Sequence, residues 1–268
     1  MKAKIFCSLF LLFLNLTFQD SLQEEIDIPE LVLIKGGSFL MGDADGEGDE
    51  KPVHKVQLDD FYVGKFEITV KQYHQFCEAT KRAMPKAPNW GWIDNHPIMN
   101  VSWYDAEAYI NWLSDQTGKK FRFLTEAEFE YVVRNGGEKG IYPFDEKSLK
   151  INENLADEAL IQENKSWSKS RIWKGYNDGY AGSSPVGNYL PNKLGVHDIN
   201  GNVWEWVSDW YGDYEEGTVT NPKGPTKGTH KVGRGASFYS DPWHTRSAGR
   251  NWVKPEFKGP GLRVAMNK

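Results

Sequence analysis

The chain is short of cysteine. Its 268 residues hold two, and Cys7 falls in an apolar N-terminal run, which leaves Cys77 alone in the body of the protein. A single thiol closes no internal disulfide, so stability must come from the core or from bound metal. Basic charge is short as well: 32 Lys and Arg stand against 37 Asp and Glu, a net charge of -5 and a pI near 5.8. With no long basic run to alter that locally, bulk attraction to nucleic acid or anionic lipid is excluded, and no nucleic-acid partner is expected. Past the N-terminal run no stretch is apolar enough to cross a hydrocarbon core of roughly 30 Å. Internal repeats, low-complexity tracts and a clear interdomain linker are also missing.

What is present suits one domain over residues 27–268: hydrophobic residues make up 39% of the chain, enough for a sizeable core. Lys2 and Lys4 precede 5-IFCSLFLLFLNL-16, a run as long as a signal-peptide core and too short to span a bilayer. Residues 1–20 therefore read as a signal peptide, cut between Thr17 and Gln23, with an uncleaved anchor as the alternative. The mature chain is expected to be exported: periplasmic, at the cell surface or secreted.

The segments 31–43 and 56–69 alternate apolar and polar residues around Gly and Asp, which predicts strands and a hairpin. Thr69 with Gln72, Ser102 with Asp105 and Thr125 with Glu128 have the capping-box spacing and predict three helix starts. The second helix, 103–118, carries Trp103, Ala106, Tyr109, Ile110 and Leu113 on one face, and the third stops at Gly136. Cys77 lies at an apolar helical position, as a buried structural cysteine does. From Glu138 onward helical periodicity disappears; so much irregular chain is usually functional or held by ligands. Eleven tryptophans are many, and core packing accounts for most of them, with carbohydrate stacking open for one or two.

Three clusters hold chemistry. The acidic loop 43-DADGEGDE-50 opens like a calcium loop but has His54 where the closing Glu belongs, so it reads as a solvated turn. In 192-NKLGVHDINGNVWEWVSDW-210, Asp198 and Glu205 are hard oxygen ligands, and Gly201 and Asn202 let the backbone between them turn its carbonyls to the same point, as calcium requires. In 234-RGASFYSDPWHTRSAGR-250, Ser240, Asp241 and His244 are hydrolase residue types, but so close together they read as a polar loop. Arg246 and Arg250 suit either a clamp on a carboxylate or peptide backbone, or ion pairs with buried carboxylates.

Seven phrases in order, 35-KGGSFLMGD-43, 52-PVHKVQLDDFYVGKFEIT-69, 97-PIMNVSWYDAEAYINWLS-114, 121-FRFLTEAEFEYVVR-134, 195-GVHDINGNVWEWVSDWY-211, 233-GRGASF-238 and 261-GLRVA-265, resemble the formylglycine-generating enzyme, or sulfatase-modifying-factor, domain family. The resemblance implies an α+β fold, C-type-lectin-like, with little regular secondary structure. It also implies two structural calcium ions. One would be held by the side chains of Asp198 and Glu205 with the carbonyls of Gly201 and Val203; the other by Asn154 and Asp178 with the carbonyls of Leu155 and Tyr180.

The sequence departs from the family where oxidation occurs. Catalytic members resemble it at Arg234, Gly235 and Ser237, then carry two cysteines that bind Cu(I); soft thiolates are what that ion needs. This chain has no cysteine there. Its six histidines form no His-x-x-x-His pair like that of the family's non-heme iron relatives. Neither copper nor iron is expected, and no catalytic residue is assigned. With the calcium sites that the resemblance implies, this departure suggests a calcium-stabilised, non-catalytic protein. Its ligand, a peptide, protein or glycan, would meet a surface of Ser237, Tyr239, Ser240, Asp241, Trp243, His244, Arg246, Arg250 and Trp252. The alternative is a formylglycine-generating oxidoreductase or related maturation enzyme with an atypical active site.

Overall fold

A computed structural model describes residues 25–145 and 147–268; the expected signal segment 1–20 lies outside the described residues. Helices α1 (Val70–Thr80), α2 (Trp103–Thr117) and α3 (Glu126–Val133) each begin with a full capping box. The hydroxyls of Thr69, Ser102 and Thr125 accept from the third helical amide, and the side chains of Gln72, Asp105 and Glu128 accept in return. Each such cap is worth about 1 kcal/mol. The α2 face expected from the spacing is buried in full, and α2 ends at Gly118, whose φ of 68° is left-handed.

The strands are β1 (Leu31–Ile34), β2 (Ser38–Met41), β3 (His54–Gln57), β4 (Phe61–Gly64), β5 (Phe121–Phe123), β6 (Glu205–Trp210), β7 (Thr218–Thr220), β8 (Lys231–Arg234), β9 (Asn251–Val253), β10 (Gly261–Leu262) and β11 (Val264–Asn267). The two alternating N-terminal segments form nested antiparallel pairs, β2 with β3 inside and β1 with β4 outside. Three sheets result, in the orders β1-β4-β11-β5, β10-β6-β8-β9 and β2-β3-β7. One apolar core packs α3 against Phe39, Val56, Val63 and Val207. The other packs α1 and α2 against Phe121, Trp206, Leu262 and Val264, and contains Cys77. Burial pushes the Cys77 thiol up to about 11, so it is an inert core side chain.

One expectation needs correction. Chain beyond Glu138 is not free of helix: Asp157 accepts from the amides of Ala159 and Leu160 and starts α4 (Glu158–Glu163). That helix is under two turns long and buries only Ala159 and Leu160, too few residues for periodicity to register. The remaining loops are knitted by backbone bonds, Asn202 N to Asn154 O, Phe238 N to Asn202 O, and Ala156 N to Ser240 O. Among the described residues no helix is long and apolar enough to cross a membrane.

Candidate calcium centres and an aromatic cleft

Asp198 sits at φ 55° in the loop before β6 and is buried. One carboxylate oxygen accepts from the Gly187 amide, while Oδ1 is buried without a hydrogen-bond partner. Glu205, the first residue of β6, is held by Arg263, with Nη2 to Oε1 at 2.8 Å and Nε to Oε2 at 3.1 Å. Two further carboxylates join them. Glu67 accepts from Asn202 Nδ2 at 2.9 Å and from the Val203 amide, and Glu153 leaves Oε2 buried and unpartnered. Burial pushes Glu67 and Glu153 well above the usual carboxylate range, and repulsion from Asp198 and Glu205 adds to it. Burial also raises Asp198 and Glu205, with Arg263 opposing. Four buried carboxylates thus converge on one guanidinium, and burial favours their protonated forms; a divalent cation bound there would favour the charged forms instead.

The second set converges through Asp178, whose oxygens accept from the amides of Leu155 at 3.1 Å and Tyr180 at 2.8 Å. Asp157 accepts from the Asp178 amide. Burial first, and then the neighbouring Asp157, push Asp178 up to about 7. Asn154 donates to Gly182 O and to Asn202 Oδ1, while its own Oδ1 is buried without a partner. Every donor at both places is oxygen, which fits calcium. Among the described residues no three His, Cys, Asp or Glu side chains are grouped to hold a metal, so each site needs backbone carbonyls to complete it. Gly201 brings the two places together: a Cβ there would lie 2.9 Å from Asn154 O.

The segment 234–252 is folded around Arg234. Its guanidinium donates to the carbonyls of Ser247, Ala248 and Gly249 and, at 2.7 Å, to Glu130 Oε2. Arg246 makes a two-pronged pair with Glu50, both bonds 2.6 Å, and Arg250 does the same with Glu126 at 2.7 and 2.9 Å. Both arginines therefore serve internal ion pairs rather than a free clamp. Ser237 and Ser240 are also internal: they are buried, their hydroxyls are 3.1 Å apart, and Ser240 Oγ accepts from the Ser237 amide. Ser240 consequently does not meet His244, and no hydrolase triad assembles.

Tyr239, Trp243, His244 and Trp252 do share a surface. They line a cleft of about 640 Å³ with Glu47, Asp49, Trp167, Arg171 and the buried Trp204 as further walls. Asp241 organises one side, with His244 Nδ1 2.6 Å from its Oδ1 and Arg171 Nε 2.9 Å from its Oδ2. Burial opposes ionisation of Asp241, but these two hydrogen bonds hold it below the ordinary carboxylate range. No cysteine lines the cleft. Sequence spacing missed Glu67, Glu153, Arg263 and Asp157 around the candidate calcium sets, and Trp167, Arg171, Glu47 and Asp49 in the cleft.

Three small sheets, capped helices and long side-chain-tied loops define a C-type-lectin-like domain of the formylglycine-generating-enzyme kind. Residues 17–268 match the Sulfatase-modifying factor enzyme 1-like domain, and the chain belongs to this family. It is 29% identical to the formylglycine-generating enzyme of Mus musculus, over 88% of this chain and 74% of that protein. It is 28% identical to the inactive C-alpha-formylglycine-generating enzyme 2 of Mus musculus, over 68% of this chain and 70% of that protein. Among solved structures it is similar to PvdO from Pseudomonas aeruginosa, with a TM-score of 0.72, 29% identity and coverage of 90% of this chain and 95% of that one. Treponema denticola variable protein 1 shares the fold, with a TM-score of 0.71 at 21% identity over 89% and 95% of the two chains.

Proposed function

We propose that this chain is a non-oxidising member of its family: exported, stabilised by two calcium ions, and built to bind a peptide, protein or glycan across the cleft of segment 234–252. The observation that carries the reading is the cleft lining, which keeps aromatic and polar side chains and offers no sulfur. Cu(I) needs soft donors, and Cys77 is buried in the core around α1 and α2. The residues do not fit copper. The oxygen sets around Asp198 and Asp178 fit calcium, which would bind only the folded chain and so stabilise it. The inactive mouse relative supports a family scaffold outliving its oxidase chemistry.

A second reading, a maturation enzyme of different mechanism, is favoured by the Arg171–Asp241–His244 chain. A carboxylate orienting an imidazole beside a cleft is how a general base is held. Metal analysis of the purified protein separates calcium alone from copper or iron. Cu(I) titration with oxygen uptake on a cysteine peptide tests the main reading, with neither stoichiometric copper nor formylglycine expected. Formylglycine product would overturn it.

A further inference from the structure

Building on the ligand-binding reading, we infer that the cleft takes a neutral oligosaccharide, its sugar rings stacked on Trp243 and Trp252 and its hydroxyls bonded by Glu47, Asp49 and His244. The rings are presented rigidly. Trp243 is tethered by Nε1 to Glu47 Oε1 at 2.7 Å, and the Arg246 guanidinium, 4.0 Å from its centroid, covers one face. The residue is still 47% exposed. Trp252 stands edge-on to His230 at 5.1 Å and is 58% exposed. Rings already fixed by the protein lose little freedom when a ligand stacks on them. Tyr239, exposed like the two tryptophans, lines the same cleft and is backed edge-on by the buried Phe238 at 4.9 Å. Three exposed rings on one cleft are more than one sugar covers and suit a chain of them.

Charge decides the ligand class. The wall arginines Arg246 and Arg250 are buried in pairs with Glu50 and Glu126, and the exposed Arg171 is already paired through Nε with Asp241, so a phosphate, sulfate or carboxylate ligand finds no unpaired cation among them. Glu47 bonds Trp243 through one oxygen, and Asp49 bonds the Tyr211 hydroxyl through one oxygen at 2.8 Å. The second oxygen of each is an acceptor for a hydroxyl donor. A peptide backbone needs donors and acceptors in alternation, whereas these walls supply chiefly acceptors and aromatic faces. The cleft of about 640 Å³ lies within the ~300–1,000 Å³ of small-ligand sites.

The test is isothermal titration calorimetry of the mature chain in calcium buffer. Neutral hexose and N-acetylhexosamine oligomers, disaccharide to hexasaccharide, are compared with a panel of uncharged peptides, for wild type, W243A and W252A. Saccharide binding that strengthens with length and weakens at least about tenfold in each variant is expected, tenfold being the loss of one modest stacking contact. Trp252 lies on the rim, so W252A keeps the test valid should W243A fail to fold, and melting curves confirm which variants are folded. Peptide binding without saccharide binding overturns the glycan assignment and leaves the ligand-binding reading standing. Saccharide binding indifferent to both folded variants overturns the stacking geometry and with it the inference. Binding of neither panel overturns the inference too, and formylglycine production in the copper assay overturns both readings.

Discussion

Replacing Glu130 by glutamine tests what holds the cleft segment in place. Glu130 lies on α3 with its side chain fully buried; Oε1 accepts from the Gly42 amide at 2.9 Å and Arg134 Nε at 2.8 Å, and Oε2 accepts from Arg234 Nη2 at 2.7 Å. One carboxylate thus pairs with two guanidiniums, and Arg234 in turn fixes the carbonyls of residues 247–249. Glutamine keeps the volume but removes the charge and turns an amide NH2 toward a donor. Leaving a buried charge without its partner costs about 3–5 kcal/mol. At about 2–4 °C per kcal/mol for a domain near this size, Tm should fall by about 6–20 °C. Calorimetric melting in saturating calcium is the assay, with E138Q as control because the Glu138–Lys193 pair is exposed and its loss should scarcely move the transition. If E130Q melts alongside E138Q, the buried carboxylate is not the anchor of the segment and the reasoning fails.

Chelation should lower the melting transition: a site with free calcium at about 100 times its Kd contributes about 2.7 kcal/mol, and D198N should shrink the shift. An unchanged melt in chelator counts against both sites. Gly201→Ala sets a methyl against the Asn154 backbone, so about 1–3 kcal/mol of stability and some calcium affinity should be lost together, read by melting with and without the ion. Asp209 accepts from Ser208 Oγ and the Glu126 amide, with the Glu126 and Glu128 carboxylates nearby; burial first and then Glu126 push it up to about 7. The folded chain therefore holds a proton there that the unfolded chain releases near 3.8. The stability this group contributes is full below that value and is lost as pH rises to about 7. Urea midpoints for D209N should fall less steeply than wild type across that window, and parallel slopes would remove Asp209 as the cause.

Local chemistry was legible in the sequence and distant pairing was not. Each capping box joins residues three apart, and all three were readable from spacing. The four carboxylates around Arg263 come from positions 67, 153, 198 and 205, and the contact from Glu67 to Asn202 crosses 135 residues; no periodicity encodes such a meeting. Ion pairing was a legible alternative for Arg246 and Arg250, but their partners Glu50 and Glu126 lie 196 and 124 residues away. Ser237 and Ser240 look like surface residues from composition alone, and it is their mutual hydrogen bond that lets them turn inward.

Strand β11 lies between β4 and β5 in the sheet that β1 opens. A ribosome delivers those three strands long before the one that separates them, so the sheet stays open until residue 267 has emerged. The β1–β4 and β2–β3 pairs need nothing downstream, but β5 has no place beside β4 until β11 arrives. Closure of that sheet thus waits on a segment more than 140 residues downstream of the strands it joins.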